Sequence, residues 1–500
     1  MVEECRPEAG KGQTMPLERD VDARLARRSL AGFACNQGFV YSLFYLGSNQ
    51  AFHAGSFAFE RAELFGTLAF MVASFAFLLL APIRVRDAAL ARPLLGCYAA
   101  LLVVGSFVPL FAGSFEPAEL ALECVLLGVP AGCMLAAWGR ALGAFPIAHA
   151  VPEVFIGSAL GAAVCFACAV VPVEGAPLAL NLLPMGSAFF LRRVLAGAGG
   201  GQDAPAAPRG VAAGADRETA QLTGKIVAGT AVFGLASGFM ETYGSDPGMA
   251  TTPAIPVTLF LFVLFCLAAL QLFAAAPAAR DEAAGAGGQG PLDGAYRLAV
   301  LLMMAGFLFV PVLGDFGVPG EAIELAGYLG LSAVLVSLFL VMGRIARIDA
   351  ALAFARGFAA LFAGEMAGIA LGNAIDAVGT RGETPYAVVA CAGLAALFAY
   401  LFLFTERDFR SLSVAVRNTD LFEEACRHLA EDAGLSNREA EILPLALKGR
   451  TGERIAAEFY ISKSTVDTHL RRIYQKCGVH SRQELIDLGE RTERRLARRD

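Results

Sequence analysis

A chain of 500 residues that is 56% hydrophobic and 17% charged, with a mean hydropathy of +0.57, is too apolar for a soluble globular protein, whose charged share is about 25%. The net charge of -6 excludes a protein that coats nucleic acid through its overall field, so any contact with DNA must come from a local patch. The 11 cysteines are scattered. Most of them, Cys35, Cys124, Cys165, Cys168 and Cys266 included, lie inside apolar runs, where a thiol behaves as a small hydrophobe. Cys165 and Cys168 lack the histidine or charged neighbours that redox or metal chemistry needs.

In chain order, residues 1–28 are polar and lack the apolar centre of a secretory signal, so they read as a cytoplasmic tail. A membrane domain is expected over residues 29–405. Its apolar runs lie near Leu30–Leu46, Leu64–Ile83, Leu94–Phe111, Leu120–Trp138, Val154–Val171 and Ala176–Leu191. A second set lies near Ile226–Met240, Ile255–Ala275, Leu298–Leu313, Leu325–Met342, Phe358–Ile375 and Tyr386–Phe404. Crossing a hydrocarbon core takes about 20 helical residues, so several of these runs must extend a little beyond the named ends. The expectation is about twelve spans.

Charge placement tests that count, because short cytoplasmic loops are enriched in Lys and Arg. Arg24, Arg27 and Arg28 precede the first span, and Arg84, Arg86 and Arg92 follow the second. Arg140 follows the fourth, Arg192, Arg193, Arg209, Arg217 and Lys225 the sixth, Arg280 and Arg297 the eighth, and Arg344 and Arg347 the tenth. The intervening loops carry Glu116, Glu174, Asp246, Asp315 and Glu383, with Arg61 and Arg381 as their basic residues. Both termini are therefore expected in the cytoplasm, with the protein in the cytoplasmic (inner) membrane.

Between the sixth and seventh spans, the cytoplasmic loop 192–225 is rich in Gly, Ala, Pro and charge and reads as a flexible connection. Six spans on each side resemble the architecture of major facilitator transporters, whose halves rock around a central site. The loop Arg84-Val-Arg-Asp-Ala-Ala-Leu-Ala-Arg92 departs from the Gly-rich, Asp- and Arg-containing signature of that family. Glycine pairs at helical spacing, Gly157 with Gly161 and Gly234 with Gly238, are expected to let helices approach closely. Ionisable groups inside spans are functional candidates, because each costs about 2.5–3.5 kcal/mol on insertion scales. Glu123 and Glu365 are the strongest, with Arg356 and Asn373 on the same span as Glu365. Together these four residues are the expected membrane ligand or proton site, or else a set of structural bridges between helices.

A linker is expected over residues 406–434, followed by a small domain over 435–490 and a basic tail over 491–500. Ser436-Asn-Arg-Glu439 has the form of a capping box, and predicts a helix over 437–448 that ends at Gly449. Thr451 caps a second helix through Glu458, Phe459-Tyr-Ile461 makes a turn, and Ser462 caps a third helix that runs to Lys476. Ser481-Arg-Gln-Glu484 opens a fourth. On the third helix, Val466, Leu470, Ile473 and Cys477 share one face, and Ser464, Thr468, Arg471, Arg472 and Gln475 share the other. Such a helix fits a major groove, where Arg meets guanine and Thr reaches a base edge or a thymine methyl. Lys463, Arg450, Arg454, Arg472, Lys476 and Arg482 are expected to meet phosphates.

The order Leu435-Ser-Asn-Arg-Glu-Ala-Glu-Ile-Leu443, Ile455-Ala456, Ile461-Ser-Lys-Ser-Thr-Val-Asp-Thr-His-Leu470, Ile473-Tyr474, Lys476 and Gly478-Val-His-Ser-Arg482 resembles the LuxR-type helix-turn-helix. The resemblance implies a transcription regulator that binds double-stranded DNA through Lys463, Ser464, Thr465, Asp467, Thr468, Arg471, Arg472, Gln475, Lys476 and Arg482. It also implies a fourth helix that supports a homodimer. Asp467 stands where that family often has a basic residue, so its carboxylate either accepts from cytosine N4 or is swung aside. Cys477 replaces the usual Leu, and Arg454 a capping acid.

The fold class expected is all-α: a polytopic bundle of about twelve spans, six plus six, followed by a four-helix LuxR-type domain. The expected partners are DNA, the lipid bilayer and a small-molecule signal acting on the membrane domain. No cofactor, metal or catalytic constellation is expected, and the chain reads as other than an enzyme. The alternative reading is a major facilitator-type transporter with an attached DNA-binding domain.

Overall fold

The structure is a computed structural model of the chain, and it describes residues 16–45, 52–54, 57–111, 117–170, 176–198, 217–242, 254–282, 291–313, 320–346, 348–378, 386–403, 405, 408 and 421–497. Readings that concern residues 1–15, loop residues 199–216, linker residues 409–420 and tail residues 498–500 lie outside the described residues.

Helix α1 (Pro16–Tyr45) already begins within the polar N-terminal stretch and continues unbroken through the first apolar run. A short antiparallel hairpin follows, with β1 (Phe52–Ala54) against β2 (Phe57–Phe59) and Phe52 opposite Phe59. Then come α2 (Ala62–Leu80), α3 (Ile83–Ala89), α4 (Arg92–Phe111), α5 (Pro117–Leu142), α6 (Ile147–Val170), α7 (Ala176–Leu180) and α8 (Leu183–Ala198). The second set comprises α9 (Arg217–Thr242), α10 (Ala254–Glu282), α11 (Pro291–Leu313), α12 (Gly320–Ala346), α13 (Ala350–Val378) and α14 (Tyr386–Phe398), the last continuing into a π-helical turn over Ala399–Leu403. Ten helices among the described residues are long and apolar enough to cross a membrane by length and composition. Each of the twelve expected runs is mainly helical over its described residues. The two outside the ten are α1, whose N-terminal half is polar, and α14, whose apolar stretch Ala390–Leu401 is short. The chain is a multi-pass membrane protein.

The packing pairs reveal a repeat. Among the first six spans, α1 packs on α6 and α8, α2 on α5, and α4 on α5 and α8. Shifting each partner by six spans gives α9 on α13 and α14, α10 on α12, and α11 on α12 and α14, and every one of these pairs is present. The contacts between the halves, α2 with α13 and α6 with α10, also exchange under the same shift. A shift by an even number of spans preserves direction across the membrane, so the halves are parallel repeats about an axis along its normal.

Small residues make the closest of these pairs possible. A Cβ added at Gly161 would strike the backbone of Gly38 on α1; one added at Gly234 or Gly238 would strike the backbone of α13 at Leu361 or Glu365. Gly364 and Gly368 face α9 in the same way, meeting Ala231 and Leu235. The expected glycine pairs thus lie on the equivalent seams α1–α6 and α9–α13, where backbone proximity replaces side-chain interdigitation.

Helices alternate in direction, so the bundle has a near end, where α14 leads toward the C-terminal domain, and a far end. At the near end Arg140 Nη2, on α5, meets Asp87 Oδ1 at 3.0 Å and Asp349 in the turn before α13, joining the two halves. At the far end Glu60 N donates to Asn373 Oδ1 at 2.6 Å and Asn373 Nδ2 donates back to Glu60 O at 3.2 Å.

The C-terminal unit has its own core, distinct from that of the bundle. It comprises α15 (421–432), α16 (Asn437–Leu447), α17 (Gly452–Phe459), α18 (Lys463–Lys476) and α19 (Arg482–Ala497). Residues 421–432, read from sequence as part of the linker, are helical here. Phe422, Cys426 and Leu429 form an apolar stripe at helical spacing that packs on the domain core, and Lys448 Nζ sits 4.4 Å from the Phe422 ring centroid. The helix α19 runs past residue 490, so part of the expected basic tail continues it.

Candidate nucleic-acid interface

The ends of α18 are set locally. Ser462 Oγ accepts from Thr465 N at 3.1 Å and so satisfies one of the free N–H groups of the first turn. The preceding turn requires Tyr460 to take a left-handed conformation, φ 53°, unusual for a residue with a Cβ; Ile461 N to Ala456 O at 3.0 Å closes that turn. Gly478, φ 66°, ends the helix where a side chain would be strained. Thr451 caps α17 through Arg454 N at 3.3 Å, and the Ser436–Glu439 capping box is complete. The second expected box differs in one bond: Glu484 accepts from His480 N at 2.8 Å, while Ser481 Oγ accepts from Glu484 N at 3.2 Å.

Between these ends α18 divides into two faces. Val466 and Ile473 are fully buried and Leu470 is 7% exposed, packed with Ile442, Leu443, Ile455 and Leu485. Ser464, Thr465, Asp467, Thr468, Arg471, Arg472 and Gln475 are exposed on the other side. Cys477 is half-buried against the core, and His469 is half-buried beside it.

Electrostatics separate the cations of this region. Lys476 Nζ donates to Glu439 Oε2 at 2.7 Å and to Gly434 O at 3.0 Å, tying the end of α18 to the start of α16. Burial alone would raise the Glu439 carboxyl, but Lys476 and the Ser436 N–H hold it down to about 2. Lys463 Nζ pairs with Glu453 Oε1 at 2.8 Å, which holds Glu453 below its ordinary value and Lys463 above. A Cβ added at Gly452 would lie 3.2 Å from Asp467 Oδ1, so Asp467 rests against the start of α17, an end that favours an anion. Arg482 is half-buried, and its Nε and Nη2 have no hydrogen-bond partner among the described residues. Tyr460, 96% exposed at the turn leading into α18, projects a phenol that the domain core does not use. Sequence reasoning placed it only in a turn.

The four membrane candidates do not form one cluster. Glu123 on α5 is fully buried, interacts with Glu63 at the start of α2, and meets no hydrogen-bond geometry on either oxygen among the described residues. Glu365 accepts from Tyr328 Oη at 2.8 Å. Asn373 is engaged with Glu60 and with Ile369 O. Arg356 is exposed near the other end of α13, where it lines a cavity of about 30 Å³ with Thr223, Phe339 and Met342. Glu365 instead lies near Glu241 and Glu324. Sequence reasoning missed both because each stands one residue outside an apolar run, Ile226–Met240 or Leu325–Met342.

A helix-turn-helix unit with a buried aliphatic face and an exposed polar recognition helix is the architecture of a major-groove reader. Residues 433–488 match the family described as "Bacterial regulatory proteins, luxR family", and the C-terminal unit is a LuxR-family regulatory domain. It is 42% identical over 64 residues to the uncharacterized response regulatory protein YgeK of Escherichia coli (strain K12), covering 13% of this chain and 44% of that protein. It is 35% identical over 63 residues to the HTH-type transcriptional regulator MalT of Yersinia enterocolitica, covering 13% of this chain and 7% of that protein. The chain thus spans less than half the length of these relatives. Among solved structures, similarity at 13% identity extends to an auto inhibited POT family peptide transporter, with TM-score 0.43 and coverage of 79% and 97% of the two chains. The human organic anion transporter MFSD10 (TETRAN) is similar at TM-score 0.39 and 13% identity, with coverage of 81% and 99%. The six-plus-six arrangement rests on the packing pairs within this chain.

Proposed function

We propose that this protein is a membrane-embedded transcription regulator and not an enzyme, which reads double-stranded DNA through α18 and takes its signal through the membrane domain. The observation that carries the reading is the division of α18, whose aliphatic side is consumed by the domain core while Thr468, Arg471, Arg472 and Gln475 remain exposed. In this reading Thr468 and Arg471 meet base edges, and Arg450, Arg454, Arg472, Arg482 and Tyr460 meet phosphates. Lys463 reaches the backbone by exchanging Glu453 for phosphate, and Lys476 supports the helix end from within. DNA binding requires the C-terminal domain on the cytoplasmic side of the inner membrane, and an even number of spans puts the N-terminus there too, as the Lys and Arg distribution of the loops favours. The domain acts as a homodimer on DNA, and a small-molecule signal shifts the bundle between two states by binding one of them more tightly.

Arg471→Ala in the full chain is expected to lose about 1–3 kcal/mol of binding to a selected operator and to relax base preference at one position. A binding titration across operator variants measures both. Unchanged affinity together with unchanged preference rejects the assignment.

The repeat of packing pairs favours a second reading, transport by rocking of the two halves. Solute flux into vesicles that is lost in Glu365→Gln supports it, and an absence of flux for every solute that alters DNA binding rejects it.

A further inference from the structure

The repeat of the bundle extends to two junctions at its near end. The fourth span, α5, closes with Gly139-Arg140-Ala-Leu142 and the tenth, α12, with Gly343-Arg344-Ile-Ala346, so the two arginines occupy equivalent places. Each reaches into the other half at an equivalent residue. Arg140 Nη2 meets Asp349, five residues beyond Arg344, and Arg344 Nη1 donates to Phe145 O, five residues beyond Arg140, at 3.3 Å.

The two partners differ in charge. Asp349 gives Arg140 a carboxylate, whereas position 145 gives Arg344 a backbone carbonyl. A carboxylate reaches Arg344 from the tail instead: Glu423 Oε2, on α15, accepts from Arg344 Nη2 at 2.7 Å.

Both ends of this contact are firmly mounted. Phe422, beside Glu423, packs on the core of the C-terminal domain under Lys448, and Cys426 and Leu429 are buried in that core. The family match begins at residue 433, so α15 is an arm added to the family domain. On the bundle side, Ile348 N donates to Gly343 O at 3.0 Å and Asp349 Oδ1 accepts from Ala351 N at 3.0 Å, which fixes the junction of α12 and α13.

The side chains of Arg344 and Glu423 are 22% and 50% exposed, and an ion pair this wet is weak on its own. Its strength therefore depends on how the guanidinium is held, because a group already fixed in its bonding geometry loses less freedom on pairing. Phe145 O supplies that hold only while the two halves meet at the near end.

We infer that the near end of the bundle is a docking site for the C-terminal domain, with Arg344 as its anchor and Glu423 as the matching group, and that it grips when the halves are closed at that end. Parting of the two junctions withdraws Phe145 O and breaks the Arg140 contact with Asp349, and Arg344 then turns from Glu423 more readily. The reading face of α18 stays exposed in the docked arrangement, so the contact governs where the domain is held. Docking is a property of this chain without DNA; its use as the route from signal to DNA rests on the regulator reading.

The test uses the full chain at one copy per nanodisc. Arg344→Lys keeps the charge and offers three donors on one amine, which a carbodiimide condenses with a touching carboxylate, expelling water. The link to Glu423 is followed by peptide mass spectrometry as an initial rate. Its reference is the link between Lys225 and Asp408, which lie 3.7 Å apart within the second half. The Glu423 link is expected to form, and to vanish in Glu423→Gln. Adding Arg140→Gln loosens the near end and is expected to slow the link several-fold. Adding Asn373→Ala removes the bonds to Glu60 N and O at the far end, which favours near-end closure when the halves rock, and is expected to speed it. General loosening of the bundle would slow the link in both. Where Arg140→Gln also loses the reference link, and with it the fold, Asp87→Asn releases the same arginine more gently. The proposal is overturned if the Glu423 link is absent, or if the near-end and far-end variants do not shift it in opposite directions. Opposed shifts in a chain whose tail ignores DNA support the docking site and reject the regulator reading.

Discussion

In the C-terminal domain the buried carboxyl of Glu439 accepts from Lys476 Nζ at 2.7 Å and from Ser436 N at 2.8 Å, whereas both oxygens of Glu241 and one of Glu324 in the membrane domain meet no donor among the described residues. The small domain uses its buried polar groups to fasten helix ends, so its folding accounts for them. Folding of the bundle leaves these acceptors without a partner among the described residues. The cores differ in the same sense. Aliphatic side chains of α16, α17, α18 and α19 interdigitate in the tail, whereas glycines bring α9 and α13 into backbone contact in the bundle.

The largest test of this contrast is in the tail. Ile473 is fully buried, and Ile473→Ala is expected to cost about 2–5 kcal/mol through lost burial and a residual cavity. Hydrogen exchange on the full chain should show α16 and α18 losing protection while α9 and α13 keep theirs. Matching losses in both regions would show that the two cores are not independent. Gly238→Ala acts in reverse. Alanine favours the helix by about 1 kcal/mol, yet its methyl meets the Glu365 carbonyl, so a net loss of about 1–3 kcal/mol is expected from overpacking. A rise in the thermal midpoint of the bundle would refute the close approach.

The smallest effect is a pH dependence. The folded carboxyl of Glu439 is held at about 2 against an ordinary 4.5, so the stability it contributes is complete above pH 4.5 and is lost as the pH falls toward 2. Glu439→Gln should flatten that part of the acid unfolding curve of the tail; the depressed carboxyls of Glu453 and Glu484 leave a remaining slope. An identical curve for the variant would contradict the Lys476 ion pair.

Much of the tail was legible in the sequence because its signals are local. Ser436, Thr451 and Ser462 announce helix starts within three residues of the groups they cap, and Val466, Leu470 and Ile473 mark a face by periodicity alone. The same locality hid α15. Its stripe of Phe422, Cys426 and Leu429 is meaningful only against the core that it covers. In the bundle, composition located the spans, but hydropathy treats each span separately and does not state which ones touch.

The amino-acid sequence by itself determined that the chain crosses a membrane, where the spans lie, and that a helix with a cationic face closes the tail, because apolar length, loop charge and capping all act over a few residues. Only the tertiary structure decided the pairing of α2 with α13 and α6 with α10, and the burial of Glu241 and Glu324 at helix ends that hydropathy leaves outside the spans. Those contacts join residues far apart in the chain. They depend on which glycine seams close, and that is settled by three-dimensional packing rather than by any local pattern.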